Sequence, residues 1–496
     1  MNRPDGLRVA RLGPNAWSLE PADLPAGLID RARALMSLAT YLGDARDPVV
    51  GSRSVVVMGA DPSHHLARFG STVQAPLSSS VEPTKHVIPV AYDGPDLEAV
   101  AEATGLSVEA VIERHAGVVY TAVLCGFLPG FMYLAETSPD VQMPRKSAPR
   151  AKVTPRSVGI AGPYTGIYPS ACPGGWNLLG DALTGDLFDP LRARPLLVNL
   201  LDRVKFVRTD RAAASVCEPR GYAQDEEPTA ELAHVTITRL SGLASLVDRG
   251  RSSHRRFGVP LGGPLDRESY EELATTCALD TCLELMAGAV ELTVTRGSTW
   301  LASNGEPARR LSQGESLRFE AGSSLTRLIA LGGEPRVARV LGSRSSLVGF
   351  AWAGRLGRPL LKGDTLSIEP AEEMPTTAAR AIDAGQSEVV LGFEPLFTAA
   401  GRLDGVRLEI GAASSRVGTR LHGNTGTCVD PTVLSTGESH PMVPGAIQET
   451  PDGTLIVLGP DSATLGGYPI VGVLTEQARS ALARQRPGRA VRLRLI

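Results

Sequence analysis

Residues 126–180 read GFLPGFMYLAETSPDVQMPRKSAPRAKVTPRSVGIAGPYTGIYPSACPGGWNLLG, and no long helix can run through them. Each proline removes a backbone donor and fixes φ. Each glycine admits left-handed backbone and lets the chain approach a neighbour or ligand closely. The whole chain holds 53 glycines and 37 prolines among 496 residues, above the usual share of roughly 12%. Yet 43% of it is apolar, so cores can still be buried. Many turn residues over an intact apolar supply predict short strands rather than disorder. A loop-rich stretch of this kind is read as a binding surface.

A chain this long exceeds one ordinary core, and roughly two to four domains are expected. The net charge of -3 argues against a general nucleic-acid binder, which needs a basic face. Apolar runs such as Pro195 to Leu201 fall far short of the ~20 residues of a membrane helix. The opening MNRPDGLRVARLGPNAW has no apolar secretory core. The cysteines at 125, 172, 217, 277, 282 and 428 form neither a disulfide framework nor a CxxC pair, and Cys277 and Cys282 are read as core or helix-surface thiols. The eight histidines show no HxH or HExxH, so no metal site is expected. A reduced, cytoplasmic protein is the resulting expectation, with no membrane or nucleic-acid partner.

Local patterns set the organisation. The segment Asp23 to Leu42 has helical spacing, and Val55-Val56-Val57 reads as a strand. Asp96 is placed to cap a helix over Leu97 to Thr104, stopped by Gly105, and Ser107 to cap another running to His115. On that second helix Val108, Val111, Ile112 and His115 share an apolar face, so His115 is read as a satisfied core histidine. Asp266 is read as the cap of a helix over Arg267 to Cys277. A turn followed by an alternating strand recurs at 201–206, 313–319, 362–368 and 487–493. Alternation of this kind is what a half-buried strand requires. Three of these copies close candidate β units. The expected fold class is mainly β with an N-terminal α/β domain. Its units are an α/β domain over 1–84, β units over 85–210, 234–372 and 387–496, and polar linkers over 211–233 and 373–386. Closed barrels suit such units because they leave no exposed edge.

Three clusters carry candidate chemistry. Arg145, Lys146, Arg150, Lys152 and Arg156 alternate with prolines that hold them extended. Arginine forks suit phosphate or carboxylate, and a solvated loop face is the competing reading. The loops 162–169 and 172–176 are placed to offer backbone N–H groups to an anion, with plain turn chemistry as the alternative. Neither is a GxxxxGK[ST] or GxGxxG phosphate motif. The run Asp461 to Pro469 echoes 172–176, since both pass through Gly-Gly-aromatic (Gly174-Gly175-Trp176 and Gly466-Gly467-Tyr468), as equivalent loops of related barrels would. Arg251 and Arg255, near Gly258-Val259-Pro260, have no evident structural duty in the sequence.

An ordered series of motifs then carries a family resemblance. In the first half it includes Pro89 to Leu97, Gly126-Phe127-Leu128-Pro129-Gly130-Phe131, Pro144-Arg145, Pro149-Arg150, Gly159 to Gly162, Thr165-Gly166-Ile167-Tyr168-Pro169, Pro173-Gly174-Gly175-Trp176 and Leu187 to Pro190. In the second half, more thinly, it includes Asp248 to Arg251, Gly263 to Arg267, Leu341-Gly342-Ser343-Arg344-Ser345, Ser415-Arg416-Val417-Gly418, Gly445-Ala446-Ile447-Gln448 and Gly466-Gly467-Tyr468-Pro469. The chain resembles a fusion of the B-type and C-type 5-oxoprolinase families, also called allophanate hydrolase subunits 1 and 2. The same modules form the carboxyltransferase region of urea amidolyase.

This resemblance implies three cyclophilin-like β-barrels and an ATP-dependent opening of the cyclic amide 5-oxoproline to glutamate. ATP, with or without Mg, would be the cofactor, no biotin would be covalently bound, and an A-type subunit would be the partner. Arg145, Arg150, Arg251 and Arg255 would neutralise phosphate or carboxylate. Phe127, Pro129, Gly130, Tyr133, Thr165, Gly166, Tyr168, Gly174, Gly175, Trp176, Arg344, Arg416, Gln448, Gly466, Gly467 and Tyr468 would bind substrate or nucleotide. Two other readings follow from the same resemblance: a carboxyltransferase-like module served by a biotinylated partner, and a non-catalytic regulator of a kinase. The chain departs from the family pattern at Tyr164, where glutamine is usual, and at Ala463 and Leu465, where glutamine and threonine are usual.

Overall fold

A computed structural model describes residues 6–13, 15–66, 82–211, 232–371, 373–376, 378–380, 389–395, 398–423 and 438–496. Most of the linker over 211–233 and half of that over 373–386 lie outside these residues, as do Cys217 and Cys428. At the N-terminus, strands Leu7–Arg11, Ala16–Pro21, Val55–Met58 and Val49–Val50 form an antiparallel sheet in that order. Helix Leu28–Leu42 forms within the segment whose spacing pointed to it and buries Ala32, Leu35, Leu38, Ala39 and Leu42. Those residues share a core with Phe131, Tyr133 and Trp176 of the following unit.

The next unit is a closed barrel. Its strands are β1 (Lys85–Ala91), β2 (Val119–Cys125), β3 (Met132–Ala135), β4 (Ser157–Ala161), β5 (Tyr164–Ile167), β6 (Asn177–Ala182) and β7 (Arg203–Arg208). Around the barrel they run β1-β6-β4-β5-β3-β2-β7, and β7 returns alongside β1 in parallel. The last unit is also a closed barrel, of β8 (Val389–Pro395), β9 (Arg407–Ile410), β10 (Gly418–His422), β11 (Ala446–Glu449), β12 (Leu455–Leu458), β13 (Ile470–Leu474) and β14 (Ala490–Leu495). Its order is β8-β13-β11-β12-β10-β9-β14, closed by the parallel pair β14 and β8. The two barrels therefore have one topology.

Each barrel also carries a two-stranded ribbon inserted at the same two points of the chain. In the first, Arg150–Val153 pairs with Cys172–Gly174. In the second, His440–Pro441 pairs with Leu465–Gly466. The Gly-Gly-aromatic sequences lie at the second ribbon strand in both barrels, which accounts for their echo in the sequence.

The middle unit departs from expectation. Among the described residues it is an eight-stranded sheet that does not close. Strands Ala233–Val247 and Cys282–Arg296 are each 15 residues long and pair along their length. The second of these takes Thr326–Ala330 as its other partner near one end and Ser316–Glu320 near the other. Different partners at the two ends draw the sheet edges apart, and bulges within the long pair add bend. Alternation in sequence could not distinguish this from a barrel.

Both helices flanking Gly105 form as expected, over Leu97–Thr104 and Val108–Gly117, with Gly105 left-handed and Ser107 accepting from the Ala110 N–H. Asp266 caps Arg267–Cys277 by accepting from the Ser269 N–H. His115 is fully buried, stacked on Phe206 at 4.9 Å. Thr165 Oγ1 donates to the Gly159 carbonyl, so His115 Nε2 donates to Thr165 and His115 Nδ1 accepts from the Tyr92 hydroxyl. Burial lowers the His115 pKa to about 3.

Candidate functional site

The first barrel presents an aromatic floor built by β3 and the loops around it. All four residues of Met132–Ala135 are buried. The Phe131 ring meets Tyr133 at 5.1 Å, Tyr168 at 5.3 Å and Trp176 at 5.3 Å, each near-perpendicular. Trp176 in turn meets Tyr133 at 5.6 Å. Edge-to-face contacts of this kind fix ring orientation as well as bury area. Glycines make the packing possible: a Cβ on Gly166 would lie 2.8 Å from the Met132 carbonyl, and one on Gly174 would lie 2.7 Å from the Tyr168 hydroxyl.

The second half closes over this floor. The Tyr133 phenol faces the Ser439 side chain. Gly126 abuts Leu465, where a Cβ would come within 2.4 Å. The Gly130 N–H donates to the Phe257 carbonyl at 3.0 Å. Phe127 has a left-handed backbone (φ 71°) and sets its ring edge against Phe131 at 5.5 Å. Phe127, Gly130 and the intervening Pro129 thus belong to the seam between the halves.

At the rim of that seam Arg145 and Gly467 meet. Arg145 Nη1 lies 3.8 Å from the place of a Gly467 Cβ. Arg145 is exposed, and among the described residues it is held in no ion pair. The neighbouring glycine Gly175 has ordinary spacing, with its nearest atom 3.7 Å from a would-be Cβ, and its carbonyl accepts from the Lys146 N–H. Gln448 Nε2 donates to the Tyr468 carbonyl at 3.1 Å and approaches Met442 Sδ, packing under Gly466. Tyr468 itself stands half-exposed. Burial raises the Tyr133 and Tyr168 phenols above their ordinary pKa, opposed in both by the nearby Arg145 charge. Both stay neutral hydrogen-bond donors.

The remaining sequence-predicted residues sit elsewhere. Arg150 Nη2 and Lys146 Nζ both bind Asp96 Oδ1, at 2.6 and 2.7 Å, while Asp96 Oδ2 accepts from the Leu178 N–H. That is why Asp96, although at the helix start, makes no side-chain cap. Arg251 is 1% exposed and donates to the Val340 and Ser345 carbonyls. Arg255 is 2% exposed and donates to the Met442 carbonyl, and its backbone N–H is held by Asp47. Arg344 binds Glu334 and the Val337 carbonyl. Arg416 pairs with Asp461 at 2.7 Å and with Glu284, joining the second barrel to the middle sheet. Thr165 serves His115 inside the first barrel. Arg255 and Arg416 thus join different units, Arg150, Arg251, Arg344 and Thr165 are engaged within their own, and the structure does not bring these six side chains to the Arg145–Gly467 rim. Sequence reasoning missed Ser439, Met442 and Asp47; no local signal marks their contacts with Tyr133 and Arg255, which lie more than one hundred residues away.

A fused pair of barrel-bearing halves meeting over an aromatic floor defines the class. The chain belongs to the carboxyltransferase-domain family: residues 7–198 match the description "Carboxyltransferase domain, subdomain C and D" and residues 257–495 match "Carboxyltransferase domain, subdomain A and B". Among its curated relatives are B-type subunits of 5-oxoprolinase. It is 35% identical over 196 residues to the one from Haemophilus influenzae, covering 37% of this chain and 90% of that protein. It is 45% identical over 135 residues to the one from Escherichia coli O157:H7, covering 26% of this chain and 62% of that relative. A solved structure, TTHA0988, aligns over 96% of this chain and 99% of its own length with TM-score 0.78 and 29% identity. Among the described residues no helix is long and apolar enough to cross a membrane.

Proposed function

We propose that the chain is the fused B/C component of an ATP-dependent 5-oxoprolinase, active with a separate A-type subunit. The observation that carries this reading is the meeting of Arg145 with Gly467, a guanidinium of one half facing an open glycine turn of the other. Together with the Gly174-Gly175 turn, this donor set fits a single carboxylate or phosphoryl group. It is too small for a whole nucleotide triphosphate, so the bulk of ATP is assigned to the A-type partner.

Opening an unstrained lactam is uphill, and coupling to ATP would drive it: the lactam oxygen takes the terminal phosphoryl group as ADP leaves. One water adds to the carbon bearing that oxygen, the ring C–N bond breaks as the nitrogen takes the proton, and a second water hydrolyses the acyl phosphate to glutamate and phosphate. In that scheme Arg145 holds the negative charge of the substrate carboxylate or of the phosphorylated oxygen. The flat lactam ring lies on the Trp176 and Tyr133 edges. Tyr133, kept neutral by burial, donates a hydrogen bond rather than accepting a proton. Closure of the second half over the floor excludes bulk water from the reacting centre.

The test is reconstitution. The chain, an A-type subunit, ATP and 5-oxoproline should release glutamate and ADP in equal amounts. The family description favours a second reading, transfer of a carboxyl group from biotin on another chain. Uptake of labelled bicarbonate with a biotin carboxylase, and no glutamate release, would establish that reading instead.

A further inference from the structure

A cavity lies apart from the Arg145–Gly467 rim. It encloses about 770 Å³, within the usual range for small-molecule sites. Five parts of the chain build it: one face of helix Leu28–Leu42 through Met36, residues 82–84 before β1, Thr121 of β2, residues 193–195 and 199–203 leading into β7, and Phe257 from the second half. Its wall is fixed from behind by Asp202, which is 6% exposed. That carboxylate accepts from the Thr84 and Asn199 N–H groups at 2.8 Å and contacts His86 Nε2 at 3.0 Å. Leu201 beside it is held at φ 70°, with its N–H donating to the Ala122 carbonyl. A left-handed leucine is strained, and such strain persists only where the surroundings impose it.

The charges on the lining are unequal in availability. Asp202 is consumed by its hydrogen bonds, and the other carboxylate of the lining, the exposed Glu82, stands against three guanidiniums, those of Arg33, Arg194 and Arg203. Arg194 and Arg203 are exposed and, among the described residues, take part in no side-chain hydrogen bond or ion pair. Arg33 is held, among the described residues, by its helix neighbour Asp30. Beneath them Met36, Leu200 and Phe257 offer an apolar floor.

We infer that this cavity binds a small organic anion with a flat apolar body, an aryl or short acyl carboxylate, its charge between Arg194 and Arg203 and its body on Met36, Leu200 and Phe257. The site is independent of the proposed lactam chemistry. Because it touches both halves, an occupant clamps the second half onto the first.

The test uses 8-anilinonaphthalene-1-sulfonate with the full chain. Wild type is expected to bind one equivalent, with blue-shifted emission displaced by 1-naphthoate and not by 1-naphthylmethylammonium. The double variant R194E/R203E should weaken binding at least tenfold, and Met36→Trp, which fills the floor, should abolish it. Thermal unfolding of each variant checks that the fold is kept; both charge changes lie on exposed side chains. Equal binding by wild type and R194E/R203E, or equal displacement by the naphthyl cation, overturns the inference. So does loss of binding in Met36→Trp alone, which would make the site apolar without anion preference.

Discussion

Arg145 reaches across the junction of the two halves to within 3.8 Å of the Cβ position of Gly467. A guanidinium supplied by one half and a turn supplied by the other make neither half sufficient for the rim they share. Here that meeting is built into one chain.

In the reconstituted assembly proposed above, replacing Arg145 by alanine should lower kcat/KM for glutamate release by about 100-fold, the loss expected when one charge-stabilising donor is removed. The thermal midpoint should stay nearly unchanged, since the side chain is exposed. Lysine should restore part of the rate only, because an ammonium cannot engage a carboxylate with two parallel donors. Steady-state kinetics and a melting curve on both variants check this.

Tyr133→Phe removes the hydroxyl facing Ser439 while keeping the ring contacts with Phe131 and Trp176. The expected cost in stability is about 1 kcal/mol. If the phenol also donates to substrate, kcat falls tenfold or more while folding is kept. Comparing kcat with the denaturant midpoint separates the two, and a rate equal to wild type removes Tyr133 from the site.

Gly258→Ala should loosen the seam. Gly258 has φ 82°, and a Cβ there would sit 2.4 Å from the Leu128 carbonyl. Backbone must therefore shift, at a cost of about 1–3 kcal/mol. Limited proteolysis should cut between the halves faster in this variant than in wild type.

His115 predicts a pH dependence. Its folded pKa is lowered by burial to about 3, from an ordinary value of 6.5. Below pH 6.5 the unfolded chain takes up a proton that the folded chain refuses, so stability is full above that value. It is lost progressively as pH falls from 6.5 towards about 3. The melting temperature of His115→Gln should decline less steeply over that window than that of wild type.

The legible parts of this sequence were those fixed by neighbours in the chain. Gly105, Ser107 and Asp266 mark helix ends through local hydrogen bonds, and helices form where those residues put them. The Gly-Gly-aromatic echo gave away the shared barrel design because it lies at the same point of both ribbons. Arg251 and Arg255 misled for the opposite reason: an arginine next to glycines is read as aimed at a ligand, whereas here distant carbonyls at Val340 and Met442 take it up. Asp96 was drawn from its cap by Lys146 and Arg150, some fifty residues on. The open middle sheet was hidden because two 15-residue strands carry the same alternation as the edges of a barrel.

The parallel seam of each barrel has a consequence for how the chain is made. β1 cannot be completed until β7 arrives more than one hundred residues later, and β8 waits likewise for β14. Each barrel is thus locked by its last-synthesised strand. The earlier barrel can lock while the later half is still on the ribosome, and the face of its aromatic floor that meets Ser439 and Leu465 stays uncovered until that half is delivered. Growth of the nascent polypeptide sets the sequence of assembly.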